Sequence, residues 1–119
     1  MPKILVLDDD SDIASVVSMI LNLNGFPSDF IVRHELLNEK LVSFSPDILI
    51  LDIALGGADG RDLCKTLKTV KEFLHIHVIL FSAHQDISKN FKDCDASGFV
   101  AKPFESKQLI DTINNILKN

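Results

Sequence analysis

Acidic side chains, a hydroxyl and a lysine stand directly after short apolar segments of this chain. The run Asp8-Asp9-Asp10 follows the first such segment, Asp52 follows a later one, and Ser82 and Lys102 follow the last two. Crowded carboxylates repel one another, which raises the pKa of at least one of them. A hard divalent cation relieves that repulsion because it prefers oxygen ligands. An ammonium and a hydroxyl beside the cation could bind further oxygens of a phosphoryl group.

Five short apolar segments predict the strands that would position these groups. Four of them, at residues 4–7, 48–51, 78–81 and 99–101, show no clean alternation with polar residues. Apolar runs of this length are typical of parallel strands that are buried on both faces. A weaker segment at residues 30–32 predicts an edge strand.

Apolar residues spaced three and four positions apart predict helices between these strands. The first stripe begins after a capping aspartate or serine and ends before Gly25; its members are Ile13, Val16, Val17, Ile20 and Leu21. Leu109 begins a second clear stripe near the end of the chain. Weaker patterns predict helices around Leu37, around Leu63 and over residues 86–94.

Regular alternation of strand and helix predicts an α/β fold. Parallel strands joined by right-handed crossovers carry helices on both faces of the sheet, which makes a three-layer α/β/α arrangement. The weak second strand suits an edge, so we predict a five-stranded parallel sheet of flavodoxin-like order 2-1-3-4-5. Residues 1–119 are expected to form one domain. In such sheets ligands bind at the carboxyl ends of the strands, between strands 1 and 3.

The composition argues against some classes of binding partner. The net charge of −5 argues against direct nucleic-acid binding, which requires a basic surface. The chain has no apolar run that could span a bilayer and no signal-peptide pattern at its start, so we expect a cytoplasmic protein with no membrane association. Cys64 and Cys94 form no CxxC pair and are expected to be reduced thiols. His75 and His77 are expected to be exposed loop residues.

Chemistry at the predicted sheet edge assigns a role to each group. Mg²⁺ is favoured, with Mn²⁺ as a substitute, because it accepts few carboxylates and keeps exchangeable waters. Lys102 and Ser82 would each bind a phosphoryl oxygen, and Asp52 would be the nucleophile that forms an acyl phosphate. Considered singly, Asp10 is better explained as a helix cap and Lys102 as a solvated cation. The presence of a suitable group at each of four strand ends nevertheless favours a shared site.

The motifs in this order resemble the receiver domain of bacterial two-component response regulators along the whole chain. They are Asp8-Asp9, then Pro46-Asp47-Ile48-Leu49-Ile50-Leu51-Asp52, then Asp59-Gly60, then Phe81-Ser82-Ala83 and Lys102-Pro103-Phe104. The resemblance implies that Asp52 is the phosphoacceptor and that Asp9, Asp52 and the backbone carbonyl of Ala54 bind the metal. Asp8 would act through a water molecule.

The same resemblance implies a conformational switch. Ser82 would be the switch hydroxyl and Phe99 the switch aromatic. Together they would bias the surface formed by the predicted fourth helix, fifth strand and fifth helix. Ala54 and His84 would flank the attacking water and modulate dephosphorylation. The phosphoryl donor would be a histidine kinase or a histidine phosphotransfer protein. An output domain, a downstream protein or a homodimer would read the switch, and the chain itself would not be an enzyme.

Two segments depart from the family pattern. Family members usually read Met-Leu-Pro-Gly-Met-Asp-Gly after the phosphoacceptor region, whereas residues 54–60 here read Ala-Leu-Gly-Gly-Ala-Asp-Gly. Glycine in place of proline should loosen this loop. Lys102 follows Ser82 by 20 positions, which is fewer than is usual in the family and predicts a shortened fourth helix.

Three other functions remain open at the level of sequence. An aspartyl-phosphate hydrolase would need a second aspartate two positions after the nucleophile, where this chain has Ala54. A flavin or nucleotide binder would favour glycines or hydroxyls after the first strand, where this chain has three aspartates. A degenerate receiver that acts only by binding a partner would lack one of the key groups, and all of them are present.

Overall fold

The computed structural model describes residues 2–83 and 94–118. Its main sheet contains the strands β1, β2, β3, β6 and β7, and a separate pair contains β4 and β5. The strand bounds are β1 Ile4–Leu7, β2 Ser28–Ile31, β3 Ile48–Asp52, β4 Ala54–Leu55, β5 Ala58–Asp59, β6 His77–Ser82 and β7 Gly98–Ala101. The helix bounds are α1 Ser11–Leu23, α2 Leu37–Phe44, α3 Gly60–Leu67 and α4 Ser106–Lys118, with short 3₁₀ turns at His34–Leu36 and Lys71–Phe73.

The main sheet is parallel throughout, in the order β2-β1-β3-β6-β7. Counted along the chain, its five strands therefore lie in the predicted order 2-1-3-4-5. The weak second segment is an edge strand, as predicted, although it begins at Ser28 rather than at Phe30. The antiparallel β4–β5 pair was not predicted; it forms a tight turn shortly after β3.

Helices cover both faces of the sheet, which confirms the three-layer prediction. Successive side chains of a strand point to opposite faces, so Ile4 and Val6 pack with α1 and α4, while Leu5 and Leu7 pack with α2 and α3. The residues of the central strands β1 and β3 are almost completely buried, whereas those of the edge strand β2 are half-buried. A two-sided apolar core of this kind holds the strand ends, and hence the residues that follow them, in a fixed register.

Helix α1 buries a somewhat different face from the one predicted. Asp10 caps its start by accepting hydrogen bonds from the amides of Asp12 and Ile13, and Gly25 follows its end with a φ of +86°. The buried side includes Ala14 and Ser18 as well as the larger apolar residues, whereas Val16 is 47% exposed.

The predicted helix over residues 86–94 lies almost wholly outside the described residues, which resume at Cys94. In the described part of the chain, no helix is long and apolar enough to cross a membrane.

Candidate functional site

Parallel register brings the predicted site residues to one edge of the sheet. Leu7 of β1 lies opposite Leu51 of β3, so Asp8 and Asp52 follow neighbouring strand positions. On the other side of β3, Asp52 lies opposite Phe81 of β6. Ser82 ends β6 and lies opposite Ala101 of β7. Lys102 comes next, and its amide donates a hydrogen bond to the Ser82 carbonyl at 2.7 Å.

Lys102 bridges two of the carboxylates. Its Nζ lies 2.8 Å from Asp8 Oδ2 and 3.3 Å from Asp52 Oδ2. The same Nζ lies 4.7 Å from the centre of the Phe81 ring, which forms an apolar floor beneath it. Burial by itself lowers the pKa of Lys102, but the hydrogen bond that its ammonium donates to Asp8 and the negative charge of Asp52 outweigh burial, so the net pKa is raised. The lysine therefore stays charged between the two acids.

Three carboxylates lie within reach of a single ion. One oxygen from each of Asp8, Asp9 and Asp52 lies within 4.8 Å of the others. Asp8 and Asp52 are buried, whereas Asp9 is exposed at the mouth of the site. Oxygen-only ligands and an open side are what Mg²⁺ binds in proteins, because it keeps several of its own waters. The donor set thus fits a hard divalent cation.

The Asp52 carboxyl group is energetically unfavourable as an anion in the absence of a cation. Burial and then the nearby charge of Asp8 raise its pKa to about 6, although Lys102 opposes the shift. The Asp52 Oδ1 accepts a hydrogen bond of 3.3 Å from the Ala54 amide. A buried carboxylate with a raised pKa, in a cleft with a lysine, is characteristic of a functional site.

The side chains of Asp8, Asp9 and Asp10 take part in different hydrogen bonds. Asp8 Oδ1 accepts a hydrogen bond from the Asp10 amide at 2.9 Å, and Asp10 in turn caps α1. The cap reading of Asp10 is therefore confirmed. Asp9 Oδ2 accepts a hydrogen bond of 3.0 Å from the Gly56 amide, in the turn between β4 and β5. This contact was not predicted from the sequence, and only the glycine in place of proline at position 56 could have indicated it.

The remaining predicted residues lie around this cluster. Ser82 is buried at the end of β6, and Phe99 is half-buried in β7, opposite Leu80. Ala54 is exposed at the start of β4. The dephosphorylation role assigned to His84 concerns a residue outside the described part of the chain. The roles of these four residues stay predictions.

Other titratable candidates lie away from the cluster. Cys64 and Cys94 are buried and are not joined in a disulfide, and the Cys64 thiol donates a hydrogen bond to the Cys94 carbonyl at 3.1 Å. His75 and His77 are exposed, as expected, but His77 is the first residue of β6 rather than a loop residue, and its Nδ1 shares a hydrogen bond with Ser97 Oγ. Among the described residues, neither histidine belongs to a group of three or more side chains that could hold a metal.

The fold and the acidic cleft define an α/β domain whose sheet edge could bind a divalent cation. Comparison with known proteins identifies the family. Residues 4–114 match the model of the response regulator receiver domain. The chain therefore belongs to the response regulator receiver domain family.

Individual relatives agree with this assignment. The chain is 29% identical to the phosphate regulon transcriptional regulatory protein PhoB of Rhizobium meliloti, over 99% of this chain and 53% of that protein. It is 24% identical to sporulation initiation phosphotransferase F of Bacillus subtilis, over 97% and 93% of the two chains. The chain thus spans about half the length of PhoB. The structure of chemotaxis protein CheY4 of Vibrio cholerae matches with a TM-score of 0.89 at 20% identity, over 98% of each chain, which shows the shared fold.

Proposed function

We propose that this chain is a phosphoacceptor receiver domain in which Asp52 takes a phosphoryl group from a phosphorylated histidine. The observation that carries the proposal is the arrangement of three carboxylate oxygens within 4.8 Å of one another, with Lys102 bridging two of the acids. The bare cluster has an excess of negative charge, and this excess suits the binding of a divalent cation.

In the proposed reaction, an oxygen of Asp52 attacks the phosphorus of the donor phosphohistidine. The P–N bond breaks, the imidazole leaves, and the phosphoryl group becomes an acyl phosphate on Asp52. Lys102 would exchange its contact with Asp52 for one with a phosphoryl oxygen, while its contact with Asp8 keeps the ammonium in place. Ser82 would donate a hydrogen bond to another phosphoryl oxygen.

The proposed cation is Mg²⁺, with Mn²⁺ as a substitute, and Asp8, Asp9, Asp52 and the Ala54 carbonyl would hold it. When bound, it would neutralise the charge that gathers on the transferring group. Asp9 and Asp52 would be direct ligands and Asp8 would act through a water. With the cation bound, the pKa of Asp52 should fall below about 6, so that the nucleophile is ionised at neutral pH.

Phosphorylation would be read out through Ser82 and Phe99. Drawing the Ser82 hydroxyl toward the phosphoryl group would free space into which Phe99 can turn. This movement would shift the balance between two states of the surface that the helix predicted over residues 86–94 would form with β7 and α4. Ala54 and His84 would set the lifetime of the phosphorylated state through their effect on the attacking water.

The proposed partners follow from this role. A histidine kinase or phosphotransfer protein would supply the phosphoryl group in the cytoplasm. An output domain, a downstream protein or a second copy of the chain would receive the signal. Neither direct nucleic-acid binding nor membrane binding by this domain is part of the proposal. Residues 1–119 would act as one domain that undergoes phosphorylation and slow self-dephosphorylation without turning over a separate substrate.

The experiment is incubation with acetyl phosphate and Mg²⁺, followed by intact-protein mass spectrometry. The wild-type chain should gain the mass of one phosphoryl group, and the gain should disappear with excess EDTA. Asp52→Asn should remove it, whereas Asp62→Asn, an exposed acid in α3, should leave it unchanged. A gain that persists in Asp52→Asn would contradict the proposal. Repeated release of phosphate from a phosphomonoester would instead favour a hydrolase.

A further inference from the structure

The backbone amide of Gly56 contacts the most exposed of the three acidic side chains. Its N–H donates to Asp9 Oδ2 at 3.0 Å, across 47 positions of sequence. Asp8 also contacts Lys102 and the Asp10 amide, and Asp52 also contacts Lys102 and the Ala54 amide. Within residues 2–83 and 94–118, the Gly56 amide is the only group that donates a hydrogen bond to Asp9. An exposed carboxylate without that donor would be free to change rotamer.

The local fold explains why this amide is available. Ala54 and Leu55 pair with Asp59 and Ala58, which leaves Gly56 and Gly57 as the two central residues of the turn. The φ of Gly57 is +92°, whereas the φ of Gly56 is not positive. A positive φ at the second central residue only is the pattern of a type II turn. The N–H of Gly56 is not used in the β4–β5 pairing and is directed at Asp9.

A proline at position 56 would fit the same turn but could not make the contact. Proline is common at the first central position of type II turns, but it has no N–H to donate. Family members usually have proline at this position, which is rigid and has no N–H to donate. This chain has glycine instead, which is flexible and keeps its N–H. Hydrogen bonds to carboxylates that bind metals fix their orientation and contribute to affinity.

We propose that the Gly56 N–H is a positioning group for the divalent-cation site, holding Asp9 toward Asp8 and Asp52. Oδ2 of Asp9 accepts the hydrogen bond from the Gly56 amide, and Oδ1 remains available to the cation. The inference rests on the proposed function, because it assumes that Asp9 is a metal ligand. The N–H itself, rather than the shape of the turn, would support cation binding.

Two variants of the same residue separate the N–H from the turn. A Cβ on Gly56 would lie 3.4 Å from Asp9 Oδ2, an ordinary van der Waals contact, so Gly56→Ala keeps the donor at little steric cost. Gly56→Pro keeps the type of turn but removes the donor, and its ring Cδ takes the position from which the amide hydrogen points at Asp9 Oδ2. Mg²⁺ affinity, measured by isothermal titration calorimetry, should be about tenfold weaker in Gly56→Pro and within about twofold of wild type in Gly56→Ala.

Each other outcome has a defined meaning. Equal affinity of Gly56→Pro and wild type would overturn the inference while leaving the proposed function intact. Equal weakening by both variants would overturn it as well, because the shape of the turn would then be responsible. If wild-type protein bound no Mg²⁺, the proposed function and the inference would both fail.

A second measurement does not depend on the folding of the proline variant. In ¹H–¹⁵N spectra of the metal-free protein, Asp9→Ala should shift the Gly56 amide proton upfield and speed its exchange with solvent. The Gly57 amide, which has no described bond to Asp9, serves as the internal control. An unchanged Gly56 resonance would overturn the inference.

Discussion

Replacing Asp52 by asparagine should stabilise the metal-free protein at neutral pH, because the native carboxylate is held in an unfavourable place. Burial, followed by the charge of Asp8, raises the pKa of Asp52 from 3.8 to about 6. A shift of one pKa unit corresponds to about 1.4 kcal/mol. The ionised Asp52 therefore lowers the free energy of unfolding by about 3 kcal/mol above pH 6.

The sign of the pH dependence follows from proton binding. Between pH 3.8 and about 6, the folded protein binds more protons at Asp52 than the unfolded chain does. Stability from this group therefore falls as the pH rises through that window. Asp52→Asn lacks this dependence. Its advantage over wild type should grow from less than about 1 kcal/mol at pH 4 to about 3 kcal/mol at pH 7.5.

Urea unfolding followed by far-UV circular dichroism in EDTA measures this difference, since the chain has no Trp or Tyr for fluorescence. Asp62→Asn removes an exposed charge from α3 and should change stability by less than about 0.5 kcal/mol at either pH. An Asp52→Asn protein that is no more stable than wild type at pH 7.5 would refute the reasoning. It would mean that Lys102 already compensates the buried charge.

Four further predictions concern the same region. Lys102→Met should raise the pKa of Asp52 above 6 and cost about 3 kcal/mol near neutral pH, as measured by carboxyl ¹³C NMR and urea unfolding; an unmoved pKa would contradict the bridging role. Gly60→Ala should cost about 3 kcal/mol or more, because its Cβ would overlap the Asp52 carbonyl oxygen. Gly57→Ala has open space but a φ of +92° and should cost about 1 kcal/mol; equal unfolding midpoints for these two variants would count against the packing described. Saturating Mg²⁺ should raise the unfolding midpoint of wild type but not of Asp9→Ala, and equal shifts would place the cation elsewhere.

Much of the fold could be predicted because buried parallel strands have a strong compositional signal. The apolar segments that precede Asp8, Asp52, Ser82 and Lys102 are strands of the main sheet. Parallel strands end at a common edge, so the meeting of these four residues followed from chain order alone. The assignment of the family followed from the same residues.

The parts that could not be predicted depend on side-chain size and on long-range contacts. A stripe of large apolar residues placed Val16 on the inner face of α1, but the small side chains of Ala14 and Ser18 pack there instead. The bridge from Lys102 to Asp8 spans 94 positions, so the local sequence showed no compensation for the acidic pair. The Gly56 contact with Asp9 depends on a glycine-rich turn whose conformation has no hydrophobic pattern to indicate it.

The most direct test of the central claim is anomalous diffraction from crystals of this protein grown with Mn²⁺. The account predicts a single strong peak within bonding distance of carboxylate oxygens of Asp9 and Asp52, and close enough to Asp8 for a shared water. A crystal that holds Mn²⁺ only at His75 and His77, or at no position between these three aspartates, would contradict it.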